Sequence, residues 1–522
     1  VNQAGQTELS WRESFKIFVQ PKVLAMLLLG FSAGLPILLI FSSLSLWLRE
    51  AGVERDAVTF FSWAALGYSF KFVWAPLVDR LPIPLLTEWL GRRRAWLLLA
   101  QLLIIASIVA MAMVDPADTE RLKWMALAAV ALGFSSATQD IVIDAYRIEA
   151  AESRLQGMMS ACYIAGYRVG MIVAGAGALF LASGFGSAVG AYDYAAWQMA
   201  YLIMAGVMGV GVMTTLMIKE VSLPQQARTS LRYHAELLLL FFFCVIAFVS
   251  VFFFGGEVAT VWKQTLGDYT GHPYVMNFLV EVLLLTTAIL AAWIVSRVGL
   301  RAGISDPVMV DETYIAPVKE FFQRHGVKTS LLLLALIGSY RISDIVLGVI
   351  SNVFYQDMTF TKDEIAWAVK TFGVIMAVFG GFLGGLLSMR YGVIRMLLVG
   401  AILSAGTNLL FIGLASVGHN LDMLYLVIAA DNLSAGLASA AFVAFLSSLT
   451  NISFTAMQYA LFSSLMTLLP KLLGGYSGSI VSSIGYSQFF VVTALLGLPV
   501  IVLILMARKR LQIKEPVRES GN

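Results

Sequence analysis

Charged side chains are scarce in this sequence: 35 Lys and Arg and 32 Asp and Glu in 522 residues, or 13%. A soluble domain carries about 25%, so a freely soluble globular protein is excluded. Only two cysteines occur, Cys162 and Cys244, both inside apolar runs, which excludes a disulfide framework. The four histidines, His234, His272, His325 and His419, fall in connecting segments, where they cannot build a buried metal cluster. No nucleophile–base pair or metal-ligand spacing is visible, so neither an enzyme nor a cofactor is expected, and no nucleic-acid partner. What is abundant is apolar surface: 59% of residues are hydrophobic and the mean hydropathy is +0.82. Apolar runs of eighteen or more residues recur along the whole chain, each long enough to cross a bilayer core of about 30 Å. The expected class is an all-α polytopic membrane protein whose partner is the lipid bilayer.

The periodicity predicts fourteen spans, near 23–48, 58–79, 95–114, 122–144, 157–183 and 197–218, then 236–256 and 276–296, then 329–354, 365–389, 393–416, 421–449, 457–481 and 488–507. Four segments follow from this: a first six-helix bundle (1–220), a linker with two additional spans (221–304), an amphipathic interfacial helix (305–328) and a second six-helix bundle (329–522). With the N-terminus in the cytoplasm, the outer connections hold only Arg49, Arg55, Arg121, Lys123, Lys263 and Lys362, and most of the 35 basic residues lie on the inner side. The positive-inside rule then places both termini in the cytoplasm.

An internal repeat supports the six-plus-six division. "APLVDR" (75–80) followed by "GRRRAW" (91–96) ends the second span of the first half, and "GGLLSMRYGVIR" (384–395) ends its counterpart in the second. Setting Gln156 against Gln458 aligns residues 154–170 with 454–474 and brings Arg168 within one position of Lys471. Paired halves with polar residues at matching depths are the mark of a secondary transporter, whose substrate site lies between them.

The stretch 75–94 resembles the loop motif of the major facilitator superfamily, with "LPIPLLTEWL" inserted before the glycine and Met389 in place of the acidic residue in the second copy. "GFSAGLP" (30–36), "YSFKFVWAPLVDR" (68–80), "SSATQDIVIDA" (135–145), "GYRVGM" (166–171) and "SFTAMQYAL" (453–461) together resemble the AmpG muropeptide permeases, a branch that includes acetyl-CoA transporters. The resemblance implies a major facilitator fold with two extra central helices, in a bacterial inner membrane, functional as a monomer. It also implies import of N-acetylglucosaminyl-1,6-anhydro-N-acetylmuramyl peptides with protons, serving cell-wall recycling and, in some bacteria, induction of β-lactamase. A transporter of another anionic solute, such as an acyl-CoA-like compound or a sugar acid, and a non-transporting receptor on the same fold remain alternatives.

Ionisable residues at a span centre cost about 2.5–3.5 kcal/mol each on insertion scales, so those present face a cavity or one another. Asp79 is expected to latch a gate by bonding a helix N-terminus or a basic partner, with Arg80 anchoring topology beside it. Asp140, Asp144 and Arg147 share one helix face. They read equally as a structural charge network or, for Asp140, as a gate or proton site. Lys71 and Arg168, with Trp63, Tyr163, Tyr167 and Gln139 nearby, are expected to meet an anionic, sugar-bearing substrate, because cations bind carboxylates and aromatic rings stack on sugar faces. In the second half, Tyr340, Arg341, Lys370, Asn432 and Lys471 are the matching candidates. With no histidine inside a span, proton coupling falls to a carboxylate: Asp431 first, because no basic residue lies within four positions of it, then Asp344.

Overall fold

The computed structural model describes residues 20–53, 68, 70–150, 155–187, 191–221, 231–270, 273–474 and 477–513. Its regular elements are helices, as the bilayer demands: only a helix satisfies every backbone N–H and C=O of a single spanning segment. Those used below are α1 (Pro21–Ile40), α2 (Ala75–Arg80), α3 (Arg92–Ala112), α4 (Leu122–Ala150) and α5 (Gln156–Ile172) in the first half. Then come α6 (Leu231–Thr270) and α7 (Pro273–Arg301). The second half holds α8 (Val327–Ser339), α9 (Ile342–Asp357), α10 (Gly373–Tyr391), α11 (Val393–Val417), α12 (Leu421–Leu449) and α13 (Thr455–Gly474).

Among the described residues, 12 helical stretches are long and apolar enough to cross a membrane, two of them being Arg232–Thr270 and Leu279–Arg301 in the middle of the chain. Two other expected spans are not among these. Half of residues 58–79 lies outside the described residues, and 457–481 begins as the 20-residue helix α13, which carries Pro470.

The chain divides into two compact units, one formed by residues 1–221 with 322–522 and the other by residues 222–321. In the first unit, glycines set the helix spacing. A Cβ added to Gly34 would stand 2.1 Å from the carbonyl oxygen of Tyr167, and one added to Gly166 would stand 1.9 Å from that of Leu27. Helices α1 and α5 therefore touch backbone to backbone, through Gly30 and Gly34 on one and Gly166 and Gly170 on the other. The second half repeats the device between α10 and α12, where Gly380 meets Leu433 O and Gly436 meets Ala377 O. Small residues four apart permit such contact, and van der Waals packing drives association where lipid is as apolar as the side chains.

The second unit is a helical pair. At 1.5 Å per residue, α6, with 40 residues, is about 60 Å long, twice a bilayer core. Most of its length exposes large apolar side chains, among them Phe242, Ile246, Phe253 and Phe254. Lys263 on α6 pairs with Glu281 on α7 at 2.9 Å, so the pair carries its own charge compensation. Asp311 and Lys319 pair at 3.0 Å further on.

Candidate functional site

Asp79, the last residue but one of helix α2, is only 4% exposed. Its carboxylate accepts from the Arg93 guanidinium at 2.7 Å and from the backbone N–H groups of Ala456 and Met457 at 3.2 and 3.0 Å. Those last two donors belong to the first turn of α13, in the other half. A helix's first N–H groups lack partners within the helix and carry partial positive charge, so a carboxylate there is held by both hydrogen bonds and the helix dipole. The helix N-terminus and the basic partner expected as alternatives are engaged together.

Arg93 extends this contact into its own half, bonding Glu149 through two nitrogens at 2.5 and 3.0 Å. Glu220 accepts the backbone N–H groups of Arg93 and Arg94, capping α3. Arg94 in turn donates to the carbonyls of Thr215 and Leu216 at the end of the helix Gly209–Met217. Arg80 closes α2 and is partly exposed.

Arg147, fully buried, ties the same end of the halves a second time. It donates to Gln156, Ser160 and Asp144 of its own half and to Ser447 of α12 at 2.8 Å. Its guanidinium also lies 5.2 Å from the ring centre of Tyr459, on α13, a cation–π contact strengthened by burial. One turn away, Gly157 of α5 and Gly385 of α10 approach so closely that a Cβ on Gly385 would stand 2.7 Å from the Gly157 carbonyl. The two glutamines aligned by the repeat perform matching tasks. Gln156 donates to the carbonyls of Arg147 and Ile148, and Gln458 accepts the N–H of Asn451, each tying its span to the segment before it.

Deeper in the first half, Lys71 stands in a 3-10 turn, Lys71–Val73, rather than on a continuous helix, 3.9 Å from Asp144. Asp144 is thus shared between Lys71 and Arg147. Asp140 accepts from Tyr163 at 3.2 Å, and Tyr167 stands beside Tyr163 with ring centres 6.0 Å apart. Arg168, half-buried on α5, makes no hydrogen bond or ion pair among the described residues. The charge it feels most from elsewhere in the protein is that of Arg341, in the second half.

Arg341 occupies a break between α8 and α9. It donates to Asp344 at 2.7 Å, and the other oxygen of Asp344 accepts from Ser404 on α11. Asp431, on α12, lies in the field of both Asp344 and Arg341 and within hydrogen-bond reach of Thr407.

Two residues expected to line a cavity are turned inward instead. Gln139 is fully buried and accepts from Ser32 at 3.0 Å. Tyr340 donates to the Leu397 carbonyl and stacks on Phe442 at 4.3 Å, because the helix break after Ser339 parts it from the face of Asp344. Asn432 bonds back to Ile428 O on its own helix. Lys370 and Lys471 lie on described helices, in the π-helical turn Ala366–Phe372 and in α13. Trp63 lies outside the described residues. Sequence reasoning missed Glu149, Glu220, Ser447 and Tyr459. Glu149 stood in "YRIEA", two residues past Arg147, whereas the other three carry no local signal.

Two helical halves meeting through a buried Asp–Arg–helix contact define a transporter of the alternating-access type. The chain belongs to the Major Facilitator Superfamily, which it matches over residues 23–305 and 332–521. It is a homologue of the AmpG transporters. It is 30% identical over 498 residues to a protein named putative transporter AmpG 4 from Rickettsia conorii, covering 95% of this chain and 99% of that one. It is 28% identical to the anhydromuropeptide permease of Escherichia coli K12, across 95% of this chain and 82% of the relative. Among solved structures, the proton:xylose symporter XylE superposes with a TM-score of 0.57 at 12% identity, covering 94% of this chain and 95% of the other. That likeness is one of fold.

Proposed function

We propose that this transporter imports anhydro-muropeptides from periplasm to cytoplasm together with protons. The observation that carries the reading is Arg168. It is a cation inside a membrane span without an acidic partner among the described residues, and it feels Arg341 of the opposite half. A cation left without a carboxylate at membrane depth calls for an anion beside it, whereas Arg341 already has Asp344. A muropeptide brings peptide carboxylates, and Tyr163 and Tyr167 beside Arg168 offer rings to its sugars. Lys71, held at 3.9 Å by Asp144, is free to exchange that loose internal partner for a substrate carboxylate. The names of the relatives support the choice of substrate.

Fourteen spans, both termini in the cytoplasm of a bacterial inner membrane, and a monomeric unit complete the proposal. In it, residues 1–220 and 329–522 are the two bundles, 221–304 the inserted pair and 305–328 the interfacial segment. With that orientation, the Asp79 and Arg147 contacts shut the cytoplasmic end, so the conformation described is the outward-facing one.

Proton coupling is assigned to Asp431. The Thr407 hydroxyl has a single proton, and its bond to Ser404 O at 3.1 Å employs it. A protonated Asp431 then fits as donor to Thr407, whereas an ionised one competes with Ser404 for the same hydrogen. Asp344 is the partner that pairs with Arg341, and Asp140 the reserve carboxylate of the first half. Uptake of labelled anhydro-muropeptide into proteoliposomes under an imposed pH gradient tests the whole reading. Accumulation is expected when the outside is acid, so that protons run inward; transport of an acyl-CoA or sugar acid in its place, or binding without transport, would replace it.

A further inference from the structure

The last two turns of α7 place Trp293, Arg297 and Arg301 four residues apart, on one stripe of the helix. Pro307, beyond the turn that follows, borders an open groove of about 520 Å³ along that stripe, with Ile294 and Val298 as its apolar wall. The Arg297 guanidinium lies 5.3 Å from the ring centre of Trp293. Neither arginine forms a hydrogen bond or ion pair among the described residues, although acidic residues follow closely in sequence. Those carboxylates are committed elsewhere: Asp306 accepts the N–H of Val308 at 2.9 Å, and Asp311 pairs with Lys319 at 3.0 Å.

We propose that Trp293, Arg297, Arg301 and the turn at Pro307 bind the phosphate headgroup of an anionic phospholipid. Position decides the occupant. Arg301 ends a 23-residue stretch, Leu279–Arg301, long and apolar enough to cross a membrane, and the end of such a span belongs at headgroup level in either leaflet. Tryptophan favours this depth, and clustered arginines beside a span recognise anionic headgroups there. A guanidinium bonds phosphate through two parallel N–H donors, and two of them four residues apart on one helix can share the phosphate oxygens. The apolar wall of Ile294 and Val298 continues toward the bilayer core, where it meets the first carbons of the acyl chains. A lone pair of arginines anchoring topology would need neither the ring stacked on Arg297 nor the groove beside it.

The test is native mass spectrometry of the full chain, released from detergent with increasing dioleoyl-phosphatidylglycerol. The wild type is expected to retain one tightly held phosphatidylglycerol and no phosphatidylcholine. Arg297→Gln/Arg301→Gln should weaken that adduct by about tenfold or more, while Arg232→Gln, at an arginine paired with Glu236 on the same unit, should leave it unchanged. The single substitutions lie at exposed positions and should each give an intermediate loss if the double variant proves unstable. Equal phosphatidylglycerol retention by wild type and the arginine variants would overturn the proposal. So would displacement of the lipid by millimolar inorganic phosphate, which would make the groove a site for the free ion.

Discussion

The carboxylate of Asp79, at the end of a helix in one half, accepts the backbone N–H of Met457 in the other at 3.0 Å. A side chain and the first turn of a helix separated by 378 positions in sequence are thereby joined at one end of the transporter. Opening that end requires this bond, and the Arg147 bond to Ser447 at 2.8 Å, to break.

Asp79→Asn keeps one acceptor oxygen and removes the charge, so the closed arrangement should lose part of a charge-assisted contact of about 1.5–3 kcal/mol. Spin labels at Glu88 and Ile452, both exposed at that end, should report one short distance in the wild type. A second, longer population is expected in Asp79→Asn. An unchanged distance distribution would show that Asp79 does not hold the halves together.

Gly166→Ala should not yield folded protein, because its new Cβ would stand 1.9 Å from the Leu27 carbonyl, on the rigid backbone of a packed helix. Gly184→Ala, where nothing lies within 4 Å, should behave as wild type. Yield of monodisperse protein and Tm in detergent distinguish the two. Comparable values for both would contradict the close approach of α1 and α5.

Arg168→Gln should raise the apparent KM for anhydro-muropeptide about tenfold or more, as expected for loss of a charged hydrogen bond, with Tm unchanged. No internal partner is abandoned by that substitution. Lys71→Gln should raise KM and also lower Tm slightly, since Asp144 loses one of its two cations. A Tm loss in Arg168→Gln without a KM effect would assign that arginine to structure alone.

Asp431→Asn should abolish accumulation driven by a pH gradient and leave exchange of substrate between the two sides measurable. The amide still bonds Thr407 but cannot release a proton. Full gradient-driven uptake by this variant would remove Asp431 from coupling and leave Asp344 and Asp140 as the remaining carboxylates.

Single cysteines at Glu88 and Thr270, both exposed, should react with an impermeant reagent from opposite sides of the membrane. Labelling at Thr270 alone in intact cells is the expected result. Labelling of both sites would refute the orientation read from the basic residues.

Apolar run length determined by itself that the chain crosses the membrane many times, because no other structure satisfies the backbone in lipid. The ordered motifs at 30–36, 68–80, 135–145, 166–171 and 453–461 likewise carried the family, and the rarity of membrane charges singled out Asp79, Asp140, Arg168 and Arg341. Helical spacing related Arg341 to Asp344 and Asp144 to Arg147, and both pairs are present, since residues three apart share a face whatever surrounds them. Spacing along a helix says nothing at Tyr340 and Lys71, where a helix break and a 3-10 turn interrupt the regular rise. Tertiary structure alone decided which charges are compensated. Ser447 and Tyr459 reach Arg147, and the α13 N-terminus reaches Asp79, both between elements distant in sequence. Sequence spacing reports neighbours along one helix, whereas a buried charge is answered by whatever the folded halves bring within a few ångströms of it.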